Sequence, residues 1–171
     1  MSDASMTTYG ERNPGSPREL SVFSFLVGKW EGKGKTKIEG GKFAEYGVTW
    51  IGRYILDGTA IADELHGPMP DGSPYLGISF RQYDAGRRTW VIEYLNVTNS
   101  FLRKQVNRES GSVSVSGRNV TVTSESPGVV VREHYLVEDD KTFIYRLDVS
   151  NDGRKSWNEG QVEMTFGRSQ G

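Results

Sequence analysis

From Gly28 onward the chain is a succession of short runs rich in Val, Ile, Thr, Tyr, Phe and Trp, each stopped by turn chemistry: Gly40-Gly41, Asp57-Gly58, Asp71-Gly72, Ala85-Gly86, Ser110-Gly111, Ser116-Gly117, Pro127-Gly128, Asp139-Asp140 and Asn151-Asp152-Gly153. Such pairs tolerate the positive φ that tight hairpins demand, so most of the runs are joined by hairpin-sized connections. The pattern predicts strands near 29–38, 43–56, 59–66, 75–84, 88–97, 100–108, 112–116, 119–126, 129–138, 142–150 and 156–167. A meander of this length either stacks as two sheets or closes on itself, and closure removes the exposed edges. Several strands carry polar residues on both faces, which a dry inter-sheet core rejects and a wet lumen accepts. With 21 glycines in 171 residues available for sharp bends, the expectation is an all-β fold: a single closed or nearly closed antiparallel up-and-down β-barrel of about ten strands.

One short N-terminal helix should cap that barrel. Ser16-Pro17-Arg18-Glu19 has the order of a capping box, with Ser as N-cap, Pro at the first helical position and Glu at the third. Leu20, Phe23, Leu26 and Val27 recur at helical spacing, and Gly28 can end the helix. Residues 1–16 hold hardly any apolar side chain and are expected as a flexible arm, leaving 17–171 as one domain.

Charge and composition narrow the partners. Lys and Arg number 21 against 22 Asp and Glu, for a formal charge of −1, so the basic surface of a nucleic-acid binder or membrane anchor is missing. No apolar stretch is long enough to cross a bilayer and the first residues lack a hydrophobic signal core, so the chain reads as cytoplasmic. The absence of Cys excludes disulfide scaffolds, thiolate catalysis and cysteine metal sites. With only His66 and His134, a three-His centre is excluded too. Glu64 and His66 share a strand face, but Glu133 and His134 point oppositely, so no metal and no cofactor is expected. Gly28 to Thr36 superficially suggests a phosphate loop, but its spacing is wrong by one residue and a strand follows where a helix is needed.

Gly28-Lys29-Trp30, directly after the helix and opening the first strand, resembles the Gly-x-Trp signature of lipocalins and the wider calycin superfamily. There the Trp plugs the barrel floor and an Arg from the end of the last strand stacks over it; Arg168 stands in the matching place. A closer resemblance, over most of the chain after residue 20, is to the bacterial DUF1579-type proteins. It is carried by Phe25-Leu26-Val27-Gly28-Lys29-Trp30, by the stretch from Leu56-Asp57-Gly58 to Asp63-Glu64, by Arg81-Gln82-Tyr83-Asp84 leading to Trp90 through Asn96, and by Ser150 through Trp157. The chain departs from that pattern at Arg154, where a second Gly is usual, and at Asn96, where Asp is common. The resemblance implies a calycin-like barrel and no particular activity.

Strand alternation supplies the candidate site. Trp90, Ile92, Tyr94 and Asn96 share one face, as do Phe143, Tyr145, Leu147 and Val149, and Tyr46, Val48, Trp50 and Tyr54. Around a closed sheet these faces would enclose an aromatic cavity for a small apolar or aromatic molecule, with Trp50, Trp90, Tyr94, Asn96 and Tyr145 as ligand-binding residues. The alternative is a cofactor-independent lyase, isomerase, cyclase or hydratase acting on an aromatic or terpenoid-like molecule in the same cavity, with Glu64 and His134 as acid or base and Arg103 stabilising negative charge. A third reading is a solid barrel that works through its surface. In a strand only one of Asp63 and Glu64 can enter the lumen. The sequence selects neither a monomer nor a homodimer.

Overall fold

The computed structural model describes residues 7–68, 71–96 and 111–169 in full and residues 101–106 by their backbone. Eleven strands form one antiparallel sheet: β1 (Gly28–Lys37), β2 (Phe43–Ile55), β3 (Ala60–Pro68), β4 (Pro74–Asp84), β5 (Thr89–Asn96), β6 (Phe101–Val106), β7 (Gly111–Ser116), β8 (Asn119–Ser126), β9 (Val129–Val137), β10 (Thr142–Ser150) and β11 (Asn158–Arg168). The order is β6-β5-β4-β3-β2-β1-β11-β10-β9-β8-β7. Every consecutive pair within β1–β6 and within β7–β11 is a neighbour, and β1 pairs with β11 to join the two runs. β6, at one end of the sheet, returns against β7 and β8 at the other, giving a nearly closed barrel.

The opening helix is a 3-10 helix, Arg18–Leu26. Three residues per turn place Leu20, Phe23 and Leu26 on one stripe, and all three are fully buried against the barrel. The expected capping box does not form. Pro17 is the N-cap, no side chain caps the helix, and Ser16 Oγ donates instead to the Asn13 carbonyl. Val27 is already extended. Of the arm expected over residues 1–16, residues 1–6 lie outside the described residues; Thr7 and Asn13 hydrogen-bond to the Asp57 carboxylate, and the Asn13 N–H donates to the Gly58 carbonyl, so residues 7–13 lie along the β2–β3 turn.

Trp30 seals the floor. It is 1% exposed, its Nε1 donates to the Leu26 carbonyl, and its ring meets Phe143 edge-on at 4.9 Å. The Arg168 guanidinium stacks 4.2 Å from the Trp30 ring centre while its Nη1 donates to the Val27 carbonyl. Gly28 permits this closure: its φ of +125° suits glycine, and a Cβ there would collide with Arg168.

Candidate functional site

Above the floor the lumen opens into two adjoining lobes. The deeper, about 190 Å³, is lined by Trp50, Asp63, Ser79, Arg81, Glu133 and Tyr135, with Tyr94 and Gly77 on one wall. The outer, about 250 Å³, is lined mainly by apolar side chains, among them Val48, Val162 and Met164. Leu65, Tyr75, Tyr145 and Leu147 line both, so the lobes meet at these four side chains.

The polarity of the deep lobe comes from β4, whose alternation is inverted. Ile78 and Phe80 face outward, Phe80 being 41% exposed, while Gly77, Ser79 and Arg81 face in and are buried. Register places Ser79 opposite Asp63 on β3, with Arg81 one inward position further on. Arg81 grips Asp63 with two hydrogen bonds, Nε to Oδ2 at 2.5 Å and Nη2 to Oδ1 at 3.1 Å. Both side chains are at most 2% exposed. Burial alone would disfavour the charged guanidinium, but the Asp63 carboxylate overcomes it and keeps Arg81 protonated more firmly than usual. Nη2 also donates to the Tyr135 hydroxyl at 3.1 Å, and the guanidinium lies 4.7 Å from the Phe23 ring centre. The ion pair therefore ties floor to lumen.

Burial pushes the Tyr135 phenol well above its ordinary range, against the pull of Arg81, so it keeps its proton. Glu133, two residues back on the same face of β9, accepts a hydrogen bond from the Tyr145 hydroxyl at 3.1 Å. The Tyr75 and Tyr94 hydroxyls are hydrogen-bonded to each other across the lobe. Gly77 makes room for them, since a Cβ there would lie 2.8 Å from the Tyr94 oxygen.

Of the residues expected from sequence, Trp50, Tyr94 and Tyr145 line the cavity. Trp90 lies lower, edge-on to Phe23 at 4.9 Å, as part of the floor. Asn96 is buried opposite Gly77. Glu64 faces outward, within 3.1 Å of His66 and 3.3 Å of Arg53; the acid that enters the lumen is its neighbour Asp63. His134 is also on the outer face, where Nδ1 pairs with Thr121 Oγ1 at 3.2 Å and Nε2 with Asp148 Oδ2 at 2.9 Å. Glu64 and His134 thus sit on separate outer walls. The backbone of Arg103 pairs with Tyr94, and its side chain lies outside the described residues.

Asp148 organises its own polar cluster. Between Leu147 and Val149 the β10–β11 register shifts, and the Gly160 N–H donates to Asp148 Oδ1 at 2.8 Å. Burial would raise this carboxyl, but hydrogen bonds from Arg146, Gly160 and His134 hold it down at about 2. Arg132, stacked 3.5 Å from the Trp157 ring centre, completes the cluster. No group of three metal-ligating side chains occurs among the described residues.

A family model described as "protein of unknown function (DUF1579)" matches residues 14–168. The chain belongs to the DUF1579 family. No curated protein matches it. Among solved structures it is similar to Rv2717c from M. tuberculosis, with a TM-score of 0.62 at 16% identity over 91% of this chain and 99% of that one. It is likewise similar to the S-type phycobiliprotein lyase CPES from Guillardia theta, with a TM-score of 0.62 at 10% identity over 88% of this chain and 92% of that one. At these identities the likeness is one of fold. Among the described residues no helix is long and apolar enough to cross a membrane.

Proposed function

We propose that the barrel binds a small, largely apolar or aromatic molecule, its body in the outer lobe and a polar end in the deep lobe. The observation that carries this reading is a pair of adjoining lobes, one polar and one apolar, that share Leu65, Tyr75, Tyr145 and Leu147 as lining. Each exceeds the cavity of about 150 Å³ that admits benzene, so a ligand of two or three rings fits the space. Trp50, Tyr94 and Tyr145 supply contact area at little cost in side-chain entropy.

The enzymatic alternative has a specific observation in its favour. Glu133 and Tyr135 stand side by side on the lumen face of β9, a carboxylate beside a phenol held protonated by burial. A lyase or isomerase in this cavity would use them as base and acid in place of Glu64 and His134.

Uptake of N-phenyl-1-naphthylamine, a neutral fluorophore that brightens in apolar surroundings, tests the binding reading. The wild-type protein should take it up, and Leu65→Trp, which fills the junction of the lobes, should weaken uptake at least tenfold while the protein stays folded by circular dichroism. Absence of uptake in wild type, or uptake indifferent to Leu65→Trp, would overturn the proposal.

A further inference from the structure

Two buried donors in the wall of the deep lobe lack acceptors, while the Glu133 carboxyl in the same wall is an acceptor engaged by the Tyr145 hydroxyl. Trp50 Nε1 and Arg81 Nη1 are buried and have no hydrogen-bond partner among the described residues, although the two residues are only 4% and 1% exposed. Tyr135 belongs with them by a different route. Its oxygen accepts from Arg81 Nη2, and a guanidinium offers no lone pair in return, so the phenolic proton has to be donated elsewhere. Trp50 cannot receive it either, because an indole only donates. The two rings nonetheless meet edge-on, 6.1 Å between centres. Buried donors in folded proteins almost always find an acceptor, and two N–H groups without one, beside a phenolic proton that Arg81 cannot accept, bias what that lobe can hold.

The charge in the lobe narrows the choice. Arg81 is matched by Asp63 through two hydrogen bonds, so its positive charge is spent within the wall and does not call for an anion. An uncharged oxygen acceptor satisfies the donors without bringing a charge that must be desolvated.

We infer that the molecule bound in the barrel carries a neutral carbonyl oxygen at its inner end, received by the Tyr135 hydroxyl and the Trp50 indole N–H, with an aromatic or alicyclic body filling the outer lobe. This deepens the binding reading and rests on it. Phe in place of Tyr135 would keep the ring and lose both the donor and the acceptor for Arg81 Nη2, and Phe in place of Trp50 would lose the donor together with part of the indole surface.

The test compares three probes of nearly one shape by calorimetry: 2-acetylnaphthalene, 2-ethylnaphthalene and 2-naphthoate. The ketone should bind wild type about tenfold more tightly than the hydrocarbon, the effect of a well-placed hydrogen bond, and its carbonyl stretch should move to lower frequency on binding. Tyr135→Phe and, independently, Trp50→Phe should shrink the ratio of ketone to hydrocarbon affinity to within about threefold, both probes being measured on each variant so that lost contact area cancels in the ratio; either variant suffices if the other fails to fold. Equal affinity for ketone and hydrocarbon overturns the carbonyl inference and leaves small-molecule binding standing. Tighter binding of 2-naphthoate than of the ketone overturns it in favour of an anion. A ketone preference untouched by both substitutions overturns the assignment to these donors. Binding of none of the three overturns the inference together with the reading beneath it.

Discussion

Beneath the 3-10 helix, Trp30, Phe143 and Phe166 interlock with ring centres 4.8 to 4.9 Å apart, and Phe23 meets Trp90 at the same separation. Halfway up the same walls Trp50, Tyr135 and Tyr145 also touch, at 5.4 to 6.1 Å, yet they border a cavity. Both layers come from one strand alternation and both are aromatic. They differ in what stands opposite the rings. At the floor it is the apolar stripe of the helix, which fills the space. In the lumen it is β3 and β4, which present Asp63, Gly77, Ser79 and Arg81. The hydrogen-bonded ion pair holds its own geometry where it meets the rings, and serine leaves volume that a larger side chain would occupy. Aromatic content alone therefore builds a core; small residues and a tethered polar pair facing it build a pocket.

That contrast can be broken by substitution. Trp30→Ala, in the filled layer, should cost roughly 3–5 kcal/mol in denaturant unfolding, from lost burial and the void left behind. Asp63→Asn, in the open layer, should cost about 3 kcal/mol, because it strands a buried guanidinium without its counter-charge; a loss under about 1 kcal/mol would mean that the pair does not hold the lumen open. Asp148 sharpens the comparison by pH. Its folded value near 2 lies below the unfolded value of about 3.9. The stabilisation, about 2 kcal/mol, is therefore complete above about pH 5 and lost progressively as pH falls through about 2. Wild type and Asp148→Asn should differ by that amount at neutral pH and converge in acid, as read by urea unfolding across the range. Smallest is Glu64→Gln on the outer wall, where a partly exposed carboxylate pairs with Arg53 and His66. It should change stability by less than about 1 kcal/mol and leave uptake of N-phenyl-1-naphthylamine unaltered.

The strands, their hairpins and the Trp30–Arg168 plug were legible in the sequence because each is encoded locally or by a recognisable motif. Alternation also put Trp50, Tyr94 and Tyr145 on common faces. What alternation cannot supply is parity, the choice of which face turns inward. Asp63 and Glu64 are adjacent acids, and their separation into lumen and surface follows from β2 and β4 pairing on either side of β3. Arg81 was hidden for a related reason. On its own, β4 reads as a strand that buries Ile78 and Phe80, and only a polar lumen reverses it. Tyr135 lies 54 residues from Arg81, so their hydrogen bond carries no local trace. The 3-10 character of the helix was present in the Leu20-Phe23-Leu26 interval of three, which an α-helical expectation passes over.

The first and last strands are neighbours in the middle of the sheet, with seven register pairs running from Trp30–Arg168 to Thr36–Val162. The molecule is thus two consecutive meanders clasped by its own extremities. Trimming the last dozen residues would not shorten a dispensable tail; it would withdraw the keystone and leave two half-sheets without the hydrogen-bonded seam that joins them. Folding inherits the same geometry, since each meander zips from near neighbours while the clasp waits for parts of the chain more than a hundred residues apart to meet.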